Sequence, residues 1–231
     1  MTRALFVVSE HGYWAEECIE PLTTLDSAGV DVTVATPSGS PPVVDERSLD
    51  PERAGEENAE RFRGFLETDE RLNDPMPVAE ADVADYDALV LPGGHGTVWD
   101  VNQDSHVRGL LRDQLAAGDE ALVVCHAVGI LAFARDADGD LLVEGRNVTG
   151  FPNAWEENIV DENDLLPDGR KLPYWVQTEV EAAGGNFDPE LDADTSVTVD
   201  GDLITGRGPA SSAEAARTLL AELGVEAPTE A

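Results

Sequence analysis

The sequence has little cysteine, few positive charges and no long hydrophobic run. Its 231 residues include two cysteines, Cys18 and Cys125, too few for the disulfide framework of a small secreted domain. Both are therefore expected to be free thiols in a reducing compartment. No apolar stretch is long enough to span a bilayer, and the first residues lack a signal-peptide pattern. These absences predict a cytoplasmic protein without a membrane partner.

Positive charge is scarce: 14 Lys and Arg residues stand against 48 Asp and Glu residues, for a formal net charge of −34. Such a chain repels the phosphates of nucleic acids, so no nucleic-acid partner is expected. The acidic residues are spread along a chain that is still 42% hydrophobic, which indicates a folded core under an acidic surface. We interpret this halophilic type of surface as an adaptation to concentrated salt, which screens like-charge repulsion.

Short apolar strands alternate with helical patterns along the chain. Strands are predicted at 4–8, 30–35, 87–91, 121–124 and 147–149, helices at 15–28 and 105–117, a hairpin at 196–205, and a closing helix at 211–223. Ser211 or Ser212 is the predicted N-cap of the last helix. The alternation predicts an α/β fold with a doubly wound, mostly parallel sheet flanked by helices, of the flavodoxin-like type.

Residues 37–82 differ in composition from the rest of the chain. Pro37, Pro41 and Pro42 open a polar segment in which residues 52–72 have a helical pattern. We expect a single domain, residues 1–231, that includes this segment as an insertion or lid.

Cys125 is the strongest candidate for a functional residue. It directly follows the apolar strand 121–124 and precedes a helix-like stretch at 126–133. A helix N-terminus favours a thiolate over a thiol, and ligands bind at the carboxyl edge of open parallel sheets. The alternative is a small buried hydrophobic residue, a common state of free cysteine. The position favours a nucleophile.

Candidate partners for this thiol are predicted at the same edge of the sheet. Glu17, near the start of the first helix, is expected beside the sulfur in protonated form, because burial and a neighbouring negative charge raise a carboxyl pKa. His126 is the candidate base, and Glu156 or Glu157 could orient it. In a chain this acidic, each glutamate could instead be a solvated surface residue.

Glycines and aromatic residues complete the predicted site. The loop 93–96 follows a strand, and its backbone near Gly94 and His95 could donate to an oxyanion, although a tight turn is an equal alternative. Trp14 and Tyr174 are candidates for a pocket wall, although aromatic residues are more often core. The four histidines lack a compact ligand spacing, so no metal is predicted.

Several segments of the sequence form a combined pattern: Gly12–Glu17 with Pro21, Leu91–Gly96 with Asp100, Val124–Ala127, Thr149–Phe151, Leu172–Tyr174 and Thr205–Ser212. With these segments the chain resembles the ThiJ/PfpI superfamily, within the class I glutamine amidotransferase-like fold. The resemblance is to its heat-shock chaperone and glyoxalase III-like branch in particular. One departure is Arg207, which lies in a stretch where the family more usually has Gly-Gln-Asn.

The resemblance implies that Cys125 is the nucleophile, Glu17 the acid at its sulfur and His126 the partner histidine. It implies Glu156 as the third catalytic member. The implied activity is that of a glyoxalase III-like lyase of the D-lactate dehydratase type. Such an enzyme converts methylglyoxal or a related 2-oxoaldehyde to a 2-hydroxy acid without glutathione or any cofactor.

Other functions are also compatible with the resemblance. A protein deglycase or a cysteine peptidase or amidase would use the same thiol on a different substrate. A holdase chaperone or a cysteine redox sensor would belong to another functional class. The expected partners are a small-molecule carbonyl substrate, a second copy of the chain in a homodimer and, for a chaperone, unfolded client proteins.

Overall fold

The computed structural model describes residues 1–227. Seven strands form one sheet in the order β3-β2-β1-β4-β5-β9-β8. Their bounds are β1 Arg3–Val7, β2 Asp31–Thr36, β3 Met76–Pro77, β4 Ala88–Leu91, β5 Glu120–Val124, β8 Val197–Asp200 and β9 Leu203–Gly206. All pairs are parallel except β8 with β9. A separate parallel pair consists of β6, Asn147–Val148, and β7, Asn186–Phe187.

Helices cover both faces of the sheet. They are α1 Ala15–Ser27, α2 Pro51–Ala54, α3 Glu56–Thr68, α4 Ser105–Ala117, α5 Asn153–Glu156, α6 Val176–Ala182 and α7 Ser212–Glu222. α1 and α7 pack on one face, and α4 and α6 contribute to the core on the other. The structure confirms the predicted doubly wound fold. No helix within residues 1–227 is long and apolar enough to cross a membrane.

The central strands are buried on both faces, because successive side chains point to opposite sides of a strand. In β1, Leu5 and Val7 belong to the core below α4 and α6, whereas Phe6 belongs to the core below α1 and α7. The same alternation holds in β5, where Val124 lies on the α1 side. The residue after Val124 therefore emerges at the carboxyl edge of the most buried part of the sheet.

Three local predictions differ from the structure. The helix predicted over 52–72 is divided at Gly55, whose φ of 83° ends α2 before α3 begins. The helix-like stretch after the cysteine is a 3-10 helix over Cys125–Ala132. Ser211 caps α7 without a side-chain hydrogen bond, because its hydroxyl accepts the N–H of Ser196 instead.

The segment 37–82 is joined to the sheet rather than separate from it. Its strand β3 pairs with β2 at the sheet edge, and Phe62 of α3 is fully buried against α1 residues such as Ile19. Earlier in the segment, a 3-10 turn over Glu46–Leu49 contains Arg47, which contacts His95 in the loop after β4. Through this turn the segment contacts the candidate site.

Candidate active site

Cys125 stands at a sharp turn between β5 and the 3-10 helix. Its φ of 58° lies in the left-handed region, which is uncommon for a residue with a side chain and concentrates at functional sites. The turn is closely packed: a Cβ added to Gly93 would lie 2.5 Å from Oε2 of Glu17 and 2.6 Å from Cβ of Cys125. A glycine in the loop after β4 therefore lets the thiol and Glu17 meet.

A chain of hydrogen bonds leads from the sulfur into the protein. Sγ of Cys125 lies 3.2 Å from Nδ1 of His126, and Nε2 of His126 lies 2.7 Å from Oε2 of Glu156. The Phe151 ring stacks on the imidazole of His126, with centroids 4.3 Å apart. This is the nucleophile, base and orienting carboxylate arrangement of a catalytic triad.

Glu156 binds a second imidazole. Its Oε1 lies 2.9 Å from Nε2 of His95, and Nη2 of Arg47 lies 3.3 Å from Nδ1 of His95. Burial opposes ionisation of Glu156, but the electrostatic interaction with His126 and hydrogen bonds from both imidazoles outweigh it and hold the pKa of this carboxyl well below its usual range. Glu156 is therefore a carboxylate at neutral pH.

Glu17 has the opposite protonation state. Its side chain is fully buried, and burial raises its pKa to about 8, with the nearby Glu16 adding to the rise while contacts with Cys125 and the Gly93 amide oppose it. Neither carboxyl oxygen has a hydrogen bond of normal length and alignment among the described residues. With a pKa of about 8, Glu17 is mainly neutral at pH 7, and its proton is available to the sulfur or to a ligand.

The resting state of Cys125 differs from the expected thiolate. Burial raises the pKa of its thiol well above the usual value, and the neighbouring Glu17 adds to this, against the lowering effect of the backbone N–H groups of Gly94 and His126. Desolvation of the sulfur thus outweighs the helix N-terminus. The thiol must lose its proton when it reacts, and Nδ1 of His126 is positioned to accept it.

The thiol is nevertheless reachable. Cys125 is 3% exposed and lines a cavity of about 280 Å³. The lining is mainly apolar and includes the thiol, both imidazoles and the Glu17 carboxyl. The residues that line it are Trp14, Glu17, Arg53, Gly94, His95, Cys125, His126, Phe151, Trp155, Asn158, Ile159 and Pro209. The volume suits a small molecule.

The structure brings together all but one of the predicted site residues. Tyr174 lies behind the cysteine turn, where its hydroxyl accepts a hydrogen bond from Nδ2 of Asn102, which also donates to the backbone carbonyl of His126. It supports the turn and does not line the cavity. Of the two adjacent glutamates, Glu156 is buried in the hydrogen-bond chain, whereas Glu157 is exposed.

Sequence reasoning missed Arg47 and the role of Phe151. Asp45 caps the turn that holds Arg47, a local pattern visible in the sequence, but nothing local connects Arg47 with His95, 48 positions later. Phe151 lies in a segment that carried the family resemblance, yet only the structure places its ring on His126.

His95, His126 and Glu156 also offer three buried donor atoms within 4.8 Å of one another. Two imidazoles and a carboxylate are a donor set that zinc accepts. Here the same atoms are engaged in hydrogen bonds to each other, which matches an acid–base relay.

The chain is similar in sequence to proteins with glyoxalase and deglycase names. "Glyoxalase 3" of Candida albicans is 26% identical over 212 residues, which cover 91% of this chain and 89% of that protein. "Probable glutathione-independent glyoxalase hsp3104" of Schizosaccharomyces pombe is 31% identical over 147 residues, or 63% of this chain and 64% of that protein. "Protein/nucleic acid deglycase HchA" of Pseudomonas aeruginosa is 28% identical over 215 residues, or 88% of this chain and 72% of that protein.

Among solved structures, glyoxalase III from Candida albicans superposes with a TM-score of 0.82 at 23% identity, covering 97% of this chain and 98% of that one. This agreement concerns the fold. The DJ-1/PfpI family matches residues 2–222. The seven-stranded sheet, the cysteine turn and this match agree, and the chain is a member of the DJ-1/PfpI family.

Proposed function

We propose that this protein is a cysteine-dependent, glutathione-independent glyoxalase. It would convert methylglyoxal or a related 2-oxoaldehyde to the corresponding 2-hydroxy acid by adding water overall. The observation that carries the proposal is the pairing, at one small cavity, of the Cys125–His126–Glu156 chain with the neutral acid Glu17. The names of the glyoxalase relatives support it.

The first step is addition of the thiol to the aldehyde. His126 accepts the Cys125 proton at Nδ1, the sulfur bonds to the aldehyde carbon C1, and the proton passes to the new alkoxide, giving a hemithioacetal. The backbone N–H groups of Gly94 and His126, which face the sulfur, stabilise charge that develops there. His126 is neutral again after this step.

The second step moves hydrogen from C1 to C2. His126 removes the proton on C1 while Glu17 donates its proton to the C2 oxygen, which gives an enediol. His126 then protonates C2, and Glu17 takes the proton from the C1 oxygen, which gives a thioester. A neutral acid beside a base is needed for this exchange, and the raised pKa of Glu17 supplies the acid. Water then attacks the thioester, releasing the 2-hydroxy acid and the Cys125 thiol.

Purified protein incubated with methylglyoxal, with lactate followed by NMR, tests the proposal. The wild type should produce lactate, the Cys125→Ala variant should produce none above background, and Cys18→Ala should match the wild type. Cys18 is a suitable control because it is a buried thiol of the α1 core and lies outside the cavity. Equal rates for the wild type and Cys125→Ala would rule the glyoxalase proposal out.

A deglycase is the second candidate, supported by the relative of that name. It would use the same thiol on an adduct of a 2-oxoaldehyde with an amine or thiol. The opening of the cavity beside Arg53 and Asn158, both exposed, leaves room for the rest of such an adduct. Release of free N-acetyllysine from its methylglyoxal adduct, at a rate faster than spontaneous reversal, would favour this activity.

The other functions and partners stay predictions. Among the described residues the exposed large hydrophobic side chains are Met1, Val43, Leu191 and Val199, and scattered single residues give little surface for an unfolded client. The raised pKa of Cys125 makes it a slow target for peroxide, so a redox sensor has less support than an enzyme. Sedimentation analysis tests the homodimer, and intact mass after mild peroxide treatment tests the sensor.

A further inference from the structure

The sequence Asp-Glu-Arg occurs twice in the segment between β2 and β4, and folds the same way each time. In Asp45–Arg47 and in Asp69–Arg71, the aspartate accepts the backbone N–H of the arginine at 3.0 Å and 2.9 Å. The same aspartate forms an ion pair with the guanidinium. Each turn therefore holds an arginine in a fixed direction.

The two arginines point to different partners. Arg71 reaches Asp26 on α1 with two hydrogen bonds of 2.7 Å and 2.8 Å, a surface ion pair. Arg47 reaches an imidazole instead, with its Nη2 3.3 Å from Nδ1 of His95. The second contact joins a half-buried guanidinium to a buried ring.

This contact fixes the position of the proton on His95. A guanidinium only donates hydrogen bonds, so Nδ1 of His95 must accept and its proton must lie on Nε2. Nε2 lies 2.9 Å from Oε1 of Glu156, and it can donate only in this tautomer. Burial lowers the pKa of His95 to about 4. The electrostatic effects of His126 and Arg47 contribute to the lowering, and Glu156 opposes it. His95 is thus neutral at pH 7, and its single ring proton can lie on either nitrogen.

We propose that the Asp45–Arg47 turn and His95 together position the triad carboxylate. Arg47 fixes the tautomer of His95, His95 occupies Oε1 of Glu156, and Oε2 is left for His126. The inference extends the proposed function, since it assigns positioning residues to the same site. These residues act through Glu156 and need not touch the substrate.

Loss of the arginine contact has a defined consequence. Without Arg47, the buried Nδ1 of His95 loses the donor that it now has, and the guanidinium charge that disfavours protonation of this ring is gone. A buried acceptor without a partner is unfavourable, so the ring turns or takes up a proton at Nδ1. Either change alters the bond from Nε2 of His95 to Oε1 of Glu156, and with it the position of the carboxylate that binds His126.

The test compares Arg47→Met with Arg71→Met, which removes the arginine from the matched turn. We expect Arg47→Met to lower kcat by about tenfold, the low end of what losing a partner behind a functional histidine costs, with KM little changed. Arg71→Met should keep the wild-type kcat. In ¹⁵N-histidine spectra, the His95 signal should be that of the neutral Nε2–H tautomer in the wild type and Arg71→Met, and shift toward a mixture with the doubly protonated ring in Arg47→Met.

A second background separates positioning from general damage. His95→Gln places an amide that can donate to Glu156 without a tautomer choice, so Arg47→Met should cost much less kcat in that background than alone. An equal loss in both backgrounds, or identical histidine spectra for wild type and Arg47→Met, would overturn the inference.

A readout without substrate keeps this inference separate from the proposed reaction. Alkylation of Cys125 by iodoacetamide, followed by mass spectrometry of its peptide, requires the thiol proton to pass to His126. Arg47→Met should slow it severalfold relative to Arg71→Met. If no 2-oxoaldehyde is consumed but alkylation follows this pattern, the proposed function fails and the positioning role stands. If alkylation is unchanged by Arg47→Met, the positioning role fails.

Discussion

Cys125 and His126 are neighbours in the chain, yet Sγ of the first lies 3.2 Å from Nδ1 of the second. In a continuing strand their side chains would point to opposite faces of the sheet. The left-handed φ of 58° at Cys125 and the 3-10 turn after it place both side chains at the cavity. The strained turn is what brings the sulfur and the imidazole of two consecutive residues together.

The adjacent glutamates provide a matched test of the triad. Glu156→Gln should lower kcat by about 10²-fold to 10⁴-fold, because an amide cannot accept hydrogen bonds from both imidazoles as the carboxylate does. Glu157→Gln, at an exposed position, should keep wild-type activity. Steady-state kinetics with methylglyoxal checks both variants. Similar losses for the two would contradict the assignment of Glu156.

Glu17 predicts a specific pH dependence of stability. Its pKa is raised from 4.5 to about 8 in the folded protein, so the folded state binds this proton more tightly than the unfolded state. The resulting stabilisation is complete below the unfolded pKa and is lost as pH rises through about 8. Glu17→Gln stays neutral and should escape this loss.

The measurement is the free energy of unfolding of wild type and Glu17→Gln in urea from pH 5 to pH 8. The wild type should lose stability relative to the variant by up to about 1.4 kcal/mol per pH unit, the limit for one proton. Taking the difference removes the contribution of the other acidic groups. A difference between the two that stays constant over this range would show that Glu17 is not held as a neutral acid.

Gly93 is predicted to be intolerant of a methyl group. A Cβ there would lie 2.5 Å from both the Val124 carbonyl oxygen and Oε2 of Glu17, and relieving such overpacking costs about 1–3 kcal/mol. Because the added methyl group would displace the side chains of Glu17 and Cys125, Gly93→Ala should also lose most activity. Thermal melts and kinetics measure the two effects.

Gly64 is the matched control for this glycine. It lies within α3, and a Cβ added there would meet nothing within 4 Å. Gly64→Ala should therefore stabilise the protein by about 0.5–1 kcal/mol through its helix preference and leave activity unchanged. Destabilisation by Gly64→Ala, or full activity in Gly93→Ala, would contradict the packing argument.

The acidic surface predicts stabilisation by salt. With a net charge of −34, repulsion between carboxylates opposes the compact state, and salt screens it. The melting temperature should rise between low and molar KCl, by about 2–4 °C for each kcal/mol gained in a chain of this size. Melts recorded across a KCl series measure this. No rise over that series would refute the proposed adaptation to salt.

Much of this fold could be predicted from local sequence patterns. The helix Ser105–Ala117 is where its helical pattern predicted it, and the strand–turn–helix pattern around Cys125 singled out the thiol. These features depend on neighbours within a few positions, so the sequence contains their causes. The helices of the segment 37–82 were harder to predict, because Gly55 interrupts a helical pattern that is otherwise continuous.

Local sequence patterns were sufficient to predict the alternation of strands and helices, the acidic surface and the thiol at the end of β5. Tertiary structure decided the protonation of that thiol, since burial of the sulfur outweighs the helix N-terminus. It also decided that Glu156 rather than Glu157 faces His126, that Tyr174 lies behind the turn, and that Arg47 meets His95. Those outcomes depend on how distant segments converge and exclude water, and no short stretch of sequence carries that information.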